Sequence, residues 1–209
     1  MASSFSAQIP LIIHIVSQLT PKTILDIGKG FGKYGFLIHE YVGISKVSKI
    51  DKTKSMSEQS KIKIDAVEID ETLMMPHLKN FYHTIYEMDI LDGYKALSDY
   101  ELILMIDVIE HLEKVKAIEV LKYFISKNVN VLIATPSNFF EQHLYESTYE
   151  NHVSFWNIND FVKIGHVSYQ YIEGGVIYLL SSKKLSIRGF GNGLIKKLRR
   201  IARALKNEF

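Results

Sequence analysis

The sequence predicts an α/β fold: a mostly parallel sheet covered by helices on both faces and closed by a C-terminal antiparallel hairpin. Three observations carry this. Short continuous apolar runs recur along the chain, as strands buried on both faces require. Segments of helical periodicity separate them. Near the end, two β-rich runs flank Glu173-Gly174-Gly175, and a Gly-Gly step between such runs signals a hairpin because glycine accepts positive φ.

The elements follow in order. Thr23–Ile27 reads as a strand and 31–42 as a helix. Residues 63–69 read as a second strand, followed by a short helix broken near Pro76. The run 83–87 is a weaker strand. Residues 101–106 form a continuous apolar strand, and a helix is expected over 110–126. Residues 129–134 form another buried strand, ended by Thr135-Pro136. The hairpin strands are 167–172 and 176–181. Residues 43–62 are rich in Ser and Lys and lack periodicity, so they read as an insertion, a lid or a loop. The domain therefore spans 1–182 and includes that insertion.

Composition fits one globular domain: 209 residues, 47% hydrophobic and 23% charged. Cysteine is absent, which excludes disulfides, cysteine-ligated zinc, iron–sulfur clusters and thiol nucleophiles. No apolar run is long enough for a membrane span, and the N-terminus lacks the basic region of a secretory signal. The expected location is the cytoplasm. The net charge of +2 conceals an asymmetry, because the segment 183–209 holds nine Lys/Arg against a single acid, Glu208. Within it Leu194, Ile195, Leu198, Ile201, Ala202 and Leu205 recur at helical spacing, and Gly189, Gly191 and Gly193 precede them as a hinge. A basic amphipathic helix of this kind suits an anionic membrane surface, a nucleic-acid backbone or the acidic body of the protein itself. Peripheral attachment at a membrane is thus one expectation.

The chemistry-bearing pattern begins with Asp26-Ile27-Gly28-Lys29-Gly30-Phe31-Gly32, at the end of the first strand. Such a loop removes side chains so that a ligand can lie against the backbone at the carboxyl edge of the sheet. The dinucleotide fingerprint fails at its sixth position, which is Lys33, and no Gly-Lys-Ser/Thr closes a P-loop. The D-x-G-x-G-x-G pattern instead resembles motif I of the class I S-adenosylmethionine-dependent methyltransferases. The resemblance continues through Glu68 in Ala66-Val67-Glu68-Ile69-Asp70, through Met88-Asp89-Ile90, and through Asp107-Val108-Ile109-Glu110-His111-Leu112. These matches cover about residues 23–135. They imply a Rossmann-like seven-stranded sheet and S-adenosylmethionine as cofactor.

The resemblance also implies roles. Asp26, Gly28, Gly30 and Gly32 would form the cofactor loop, and Glu68, ahead of Asp70, would take the ribose hydroxyls as a bidentate charge-assisted contact. Asp89 and Ile90 would lie at the adenine, and Asp107 would touch both cofactor and acceptor. Methyl transfer from a sulfonium is an in-line displacement that depends on positioning, with a base for an oxygen or nitrogen acceptor. Asp107, His111 and His152 are assigned as catalytic residues, with Glu110 a further candidate base.

Asp107-x-x-Glu110-His111, with His152 in Asn151-His152-Val153-Ser154-Phe155-Trp156, also resembles the divalent-metal site of small-RNA 3′-end 2′-O-methyltransferases, as does Thr135-Pro136-Ser137-Asn138. Here Asp107 replaces a glutamate and Leu112 stands where a second histidine would be, so no metal ligands are assigned. Phe139, Phe140, Tyr145, Tyr149, Phe155 and Trp156 lie where this family builds its acceptor pocket. The preferred acceptor is a small molecule or a saccharide. A metal-dependent RNA 2′-O-methyltransferase and a non-catalytic binding protein of the same fold are the alternatives.

Overall fold

The computed structural model describes residues 5–44, 50–97, 99–138 and 151–191. Among them, seven strands form one sheet: β1 (Thr23–Ile27), β2 (Lys63–Glu68), β3 (Ile85–Glu87), β4 (Leu102–Ile106), β5 (Asn130–Pro136), β6 (His166–Ile172) and β7 (Gly175–Ser181). Their spatial order is β3-β2-β1-β4-β5-β7-β6. The first five run parallel, and β7 is antiparallel to both β5 and β6. This is the predicted mixed sheet with its closing hairpin.

The continuous apolar strands have a direct cause. Alternate residues feed two separate layers, so no position faces water. Leu25, Ile103, Met105, Val131 and Ile133 point into one layer with α5 (Lys114–Ser126), α6 (Ile158–Phe161) and Trp156. Ile24, Ile64, Leu104, Leu132 and Leu179 point into the other, with α1 (Ile9–Leu19), α2 (Lys33–Ile38) and Tyr82. A four-residue α3 (Met56–Gln59) begins at Ser55 with a reciprocal Ser55–Glu58 capping box, and α4 (Ile90–Gly93) begins at Asp89.

Several sequence expectations need correction. The predicted 31–42 helix starts only at Lys33, because Gly32 is left-handed at φ +83°, and it passes into a π-helical turn at His39–Gly43. The 110–126 helix starts at Lys114. Residues Ile109–His111 instead form a separate 3-10 turn, broken at Leu112 by an extended ψ of 145°. The third strand is limited to Ile85–Glu87. In the hairpin turn only Gly174 has positive φ, +77°. Helix α1 had no place in the sequence-predicted series of elements; Pro10 in its first turn and left-handed Thr20 at its end bound it.

Of the 43–62 insertion, residues 45–49 lie outside the described set, and α3 occupies its second half. Of the 183–209 segment, residues 192–209 lie outside it, including the predicted amphipathic helix and Gly193. The preceding residues are packed: Ile187 and Phe190 are buried in the layer that holds α1, and Gly189 and Gly191 are both left-handed. Among the described residues no helix is long and apolar enough to cross a membrane.

Candidate active site

The glycine loop sits at the carboxyl end of β1, and Gly28, Gly30 and Gly32 all have positive φ (+68°, +51° and +83°). At Gly28 a Cβ would stand 2.5 Å from Cγ2 of Val108, so the loop lies directly on the end of β4. At Gly30 a Cβ would meet nothing within 4 Å. The loop is thus tight underneath and open above, a cradle with room for a ligand.

Beneath the cradle lies a buried polar network. Tyr82 donates its hydroxyl to Oδ2 of Asp26 at 2.6 Å and accepts the Gly35 amide at 3.3 Å. Burial pushes the Asp26 carboxyl up to about 7, against the Tyr82 bond, which favours the anion. Glu68, also buried, accepts the amides of Ile69 and Asp70 on Oε1 (3.1 and 3.2 Å) and that of Gly30 on Oε2 (3.1 Å). It therefore holds the end of β2 against the loop. Lys29 turns its side chain inward, donates to the Leu73 carbonyl at 3.0 Å and stands 4.0 Å from Glu68. Burial lowers the Lys29 pKa, and Glu68 opposes this. Asp70 caps the next turn through the Thr72 amide, while Asp89 accepts the Leu91 amide at 2.8 Å with Ile90 buried behind it. Asp26, Glu68 and the three glycines thus share one rim, and Asp89 and Ile90 follow β3 beyond it.

The opposite rim is built on β4 and β5. Asp107, just past the end of β4, is left-handed at φ +53°, unusual for a residue with a Cβ. Its Oδ1 accepts from Nε2 of Gln8 at 3.0 Å, and its Oδ2 is buried with no hydrogen-bond partner. Burial raises its carboxyl to about 6, opposed by the Gln8 bond and by Lys33. Glu110 is buried and raised to about 8, first by burial and then by the charge of Asp107. The Thr135 hydroxyl bonds this carboxyl, yet Oε2 is unpartnered.

Residues 151–156 are strapped to the turn that carries Glu110. Val153 and Ser154 donate their amides to the Glu110 carbonyl (2.9 and 3.0 Å), and Nε1 of Trp156 donates to that of Ile109 at 3.0 Å. This brings His152 edge-on to His111, ring centroids 4.9 Å apart. Nδ1 of His111 faces the Asn151 carbonyl at 3.1 Å, so that nitrogen carries the proton and Nε2 keeps its lone pair. Burial holds the His111 pKa below its usual value.

One ligand atom each from Glu110, His111 and His152 falls within 4.8 Å of the others. A buried carboxylate with an unpartnered oxygen and two imidazoles fits a divalent cation such as manganese. Asp107 is not in this group. Phe139, Phe140, Tyr145 and Tyr149 lie outside the described residues. Phe155 is exposed, and Trp156 is a core residue stacked on Phe161.

Sequence reasoning missed Gln8, Tyr82 and the inward turn of Lys29. Lys29 was visible inside the loop, but nothing in the sequence points Gln8 or Tyr82 at carboxylates so distant along the chain.

No protein-family model and no curated protein matches the chain. Solved structures do. The methyltransferase domain of bacterial CtHen1 aligns with TM-score 0.56 and 17% identity, over 83% of this chain and 97% of that one. The N-terminal domain of EvdMO1 with SAH bound gives TM-score 0.61 at 9% identity, covering 86% and 83%. An O-methyltransferase family protein from Burkholderia thailandensis gives 0.56 at 10%, covering 86% and 57%. At these identities the likeness is one of fold. Together with the strand order and the glycine cradle, it gives the chain the class I S-adenosylmethionine-dependent methyltransferase fold.

Proposed function

We propose that the protein transfers a methyl group from S-adenosylmethionine to an oxygen or nitrogen of a small-molecule or saccharide acceptor. One observation carries this reading: a glycine cradle open above Gly30, with Glu68 on one rim and a partnerless carboxylate oxygen of Asp107 on the other. When bound, the cofactor supplies a methyl group on a sulfonium. The loop backbone and Glu68 hold the nucleoside end, with Asp89 and Ile90 at the base. Asp107, ionised at neutral pH, would take the acceptor's proton at Oδ2, and the sulfonium would leave as the neutral thioether. His111 and His152 line the acceptor side, and His111 can take a proton at Nε2. Positioning supplies most of the rate.

The test is a thermal-shift titration with S-adenosylmethionine, S-adenosylhomocysteine and NAD. At 100 times its dissociation constant a ligand stabilises the fold by roughly 2.7 kcal/mol. Stabilisation by both sulfur compounds and not by NAD is expected. No shift with either would make the loop a packing device and favour a non-catalytic role.

The Glu110–His111–His152 cluster favours a second reading, metal-assisted transfer to a ribose 2′-hydroxyl of RNA. A bound divalent ion would there polarise the sugar hydroxyl. Manganese-stimulated methylation of RNA, lost in His152→Ala, is its expected result. Activity undiminished by a chelator would remove it.

A further inference from the structure

We propose that Gln8 and Asp107 form a subsite that reads two neighbouring hydrogen-bond donors on the methyl acceptor, as a vicinal diol presents. The inference rests on the transferase reading and specifies its substrate. Gln8 is fully buried in the 3-10 turn Ser6–Gln8 that leads into α1. Its amide orientation is set by its partner: Nε2 must face the carboxylate, since the reverse would oppose two acceptors. That leaves Oε1 of Gln8 buried without a partner, and Oδ2 of Asp107 is in the same condition.

Two adjoining groups thus each keep one unused oxygen. Burying a polar atom unpaired disfavours the fold, and a leucine at position 8 would bury no such atom of its own. Both orphans are acceptors, so their complement is a ligand edge that offers two O–H or N–H donors. The Lys33 ammonium acts on Asp107 from α2 and favours its charged, purely accepting form.

Position separates this subsite from the nucleoside end. Nε2 of Gln8 lies 3.8 Å from where a Cβ on Gly175 would stand, and the Phe5 ring lies about 3.4 Å from that of Gly174. Residues 5–8 therefore cross the ends of β5 and β7, whereas Glu68 and Gly30 meet at the end of β2. The Gln8–Asp107 pair faces the acceptor half of the sheet edge.

The test uses the full chain saturated with S-adenosylhomocysteine, whose affinity is measured first so that failure of the cofactor reading is seen separately. The Gln8 side-chain amide resonances are then followed by NMR during titration with catechol, methyl mannoside, ethanolamine, and guaiacol, which keeps one donor of the catechol pair. The resonances should move with the two-donor probes, and guaiacol should bind about tenfold more weakly than catechol, as one unpaired buried acceptor implies. A response to ethanolamine rather than the diols retains the subsite and makes its ligand an amine. Equal responses to catechol and guaiacol, or none to any two-donor probe, overturn the proposal. So does a tenfold loss of S-adenosylhomocysteine affinity in Gln8→Leu, which would give the pair to the cofactor.

Discussion

Gly28→Ala is expected to destabilise the protein by roughly 2–4 kcal/mol and to abolish stabilisation by S-adenosylhomocysteine, while Gly30→Ala abolishes binding with a smaller loss of stability. Both residues are left-handed, which costs a residue with a Cβ about 1–2 kcal/mol. The difference lies in what surrounds them. The new methyl at Gly28 would collide with Val108, and overpacking adds about 1–3 kcal/mol. At Gly30 the methyl enters open space, the space assigned here to the ligand. Urea unfolding with and without S-adenosylhomocysteine measures both effects. Normal binding by the Gly30 variant would mean that the space is not used.

The second large effect concerns Asp26. Its carboxyl ionises near 3.8 in an unfolded chain and near 7 in the fold, because burial disfavours the anion. Between these values the unfolded chain has released a proton that the native state keeps. The resulting stabilisation is fully present below the lower value, declines as pH rises, and is gone above the upper one. At about 1.4 kcal/mol per pKa unit, the decline attributable to Asp26 is on the order of 4 kcal/mol. Asp107 and Glu110 are raised as well and add to it with the same sign. Asp26→Asn keeps an acceptor for the Tyr82 hydroxyl and cannot ionise. Its unfolding free energy should therefore fall less steeply than that of the wild type from pH 4 to 8. Parallel profiles would show that Asp26 does not titrate in this range.

The sheet was legible because its physics is local. Strands buried on both faces must be apolar at every position, and Leu102–Ile106 can be read that way without reference to the rest of the chain. The glycine loop and Glu68 were legible for a similar reason, since a strand-to-helix turn with three left-handed positions tolerates little besides glycine. The start of α5 was not. Glu110-His111-Leu112-Glu113 has the composition of a helical first turn, but the carbonyls of Ile109 and Glu110 bond Trp156, Val153 and Ser154. Partners so distant in sequence override local propensity and leave no periodic trace. Gln8 escaped notice for the same reason: its burial depends on residues 5–8 crossing the ends of β5 and β7, and Ile9 to Val16 is too uniformly apolar to show which side faces inward.

The placement of β7 between β5 and β6 bears on how this molecule can diversify. The chain leaves the sheet at Pro136, returns as β6 at His166 and enters β7 at Gly175, which is paired in register with Pro136. The two ends of that excursion are fixed, and the Ser137 amide bonds the Gly174 carbonyl between them. Lengthening a flexible loop between fixed ends is thermodynamically inexpensive, about 0.6 kcal/mol for each doubling. The glycine cradle is supported on β1, β2 and β4 and does not depend on it. Insertions in this excursion, outside the core residues Trp156 and Phe161, would therefore leave the glycine cradle intact, so the proposed acceptor side can diversify at little risk to folding.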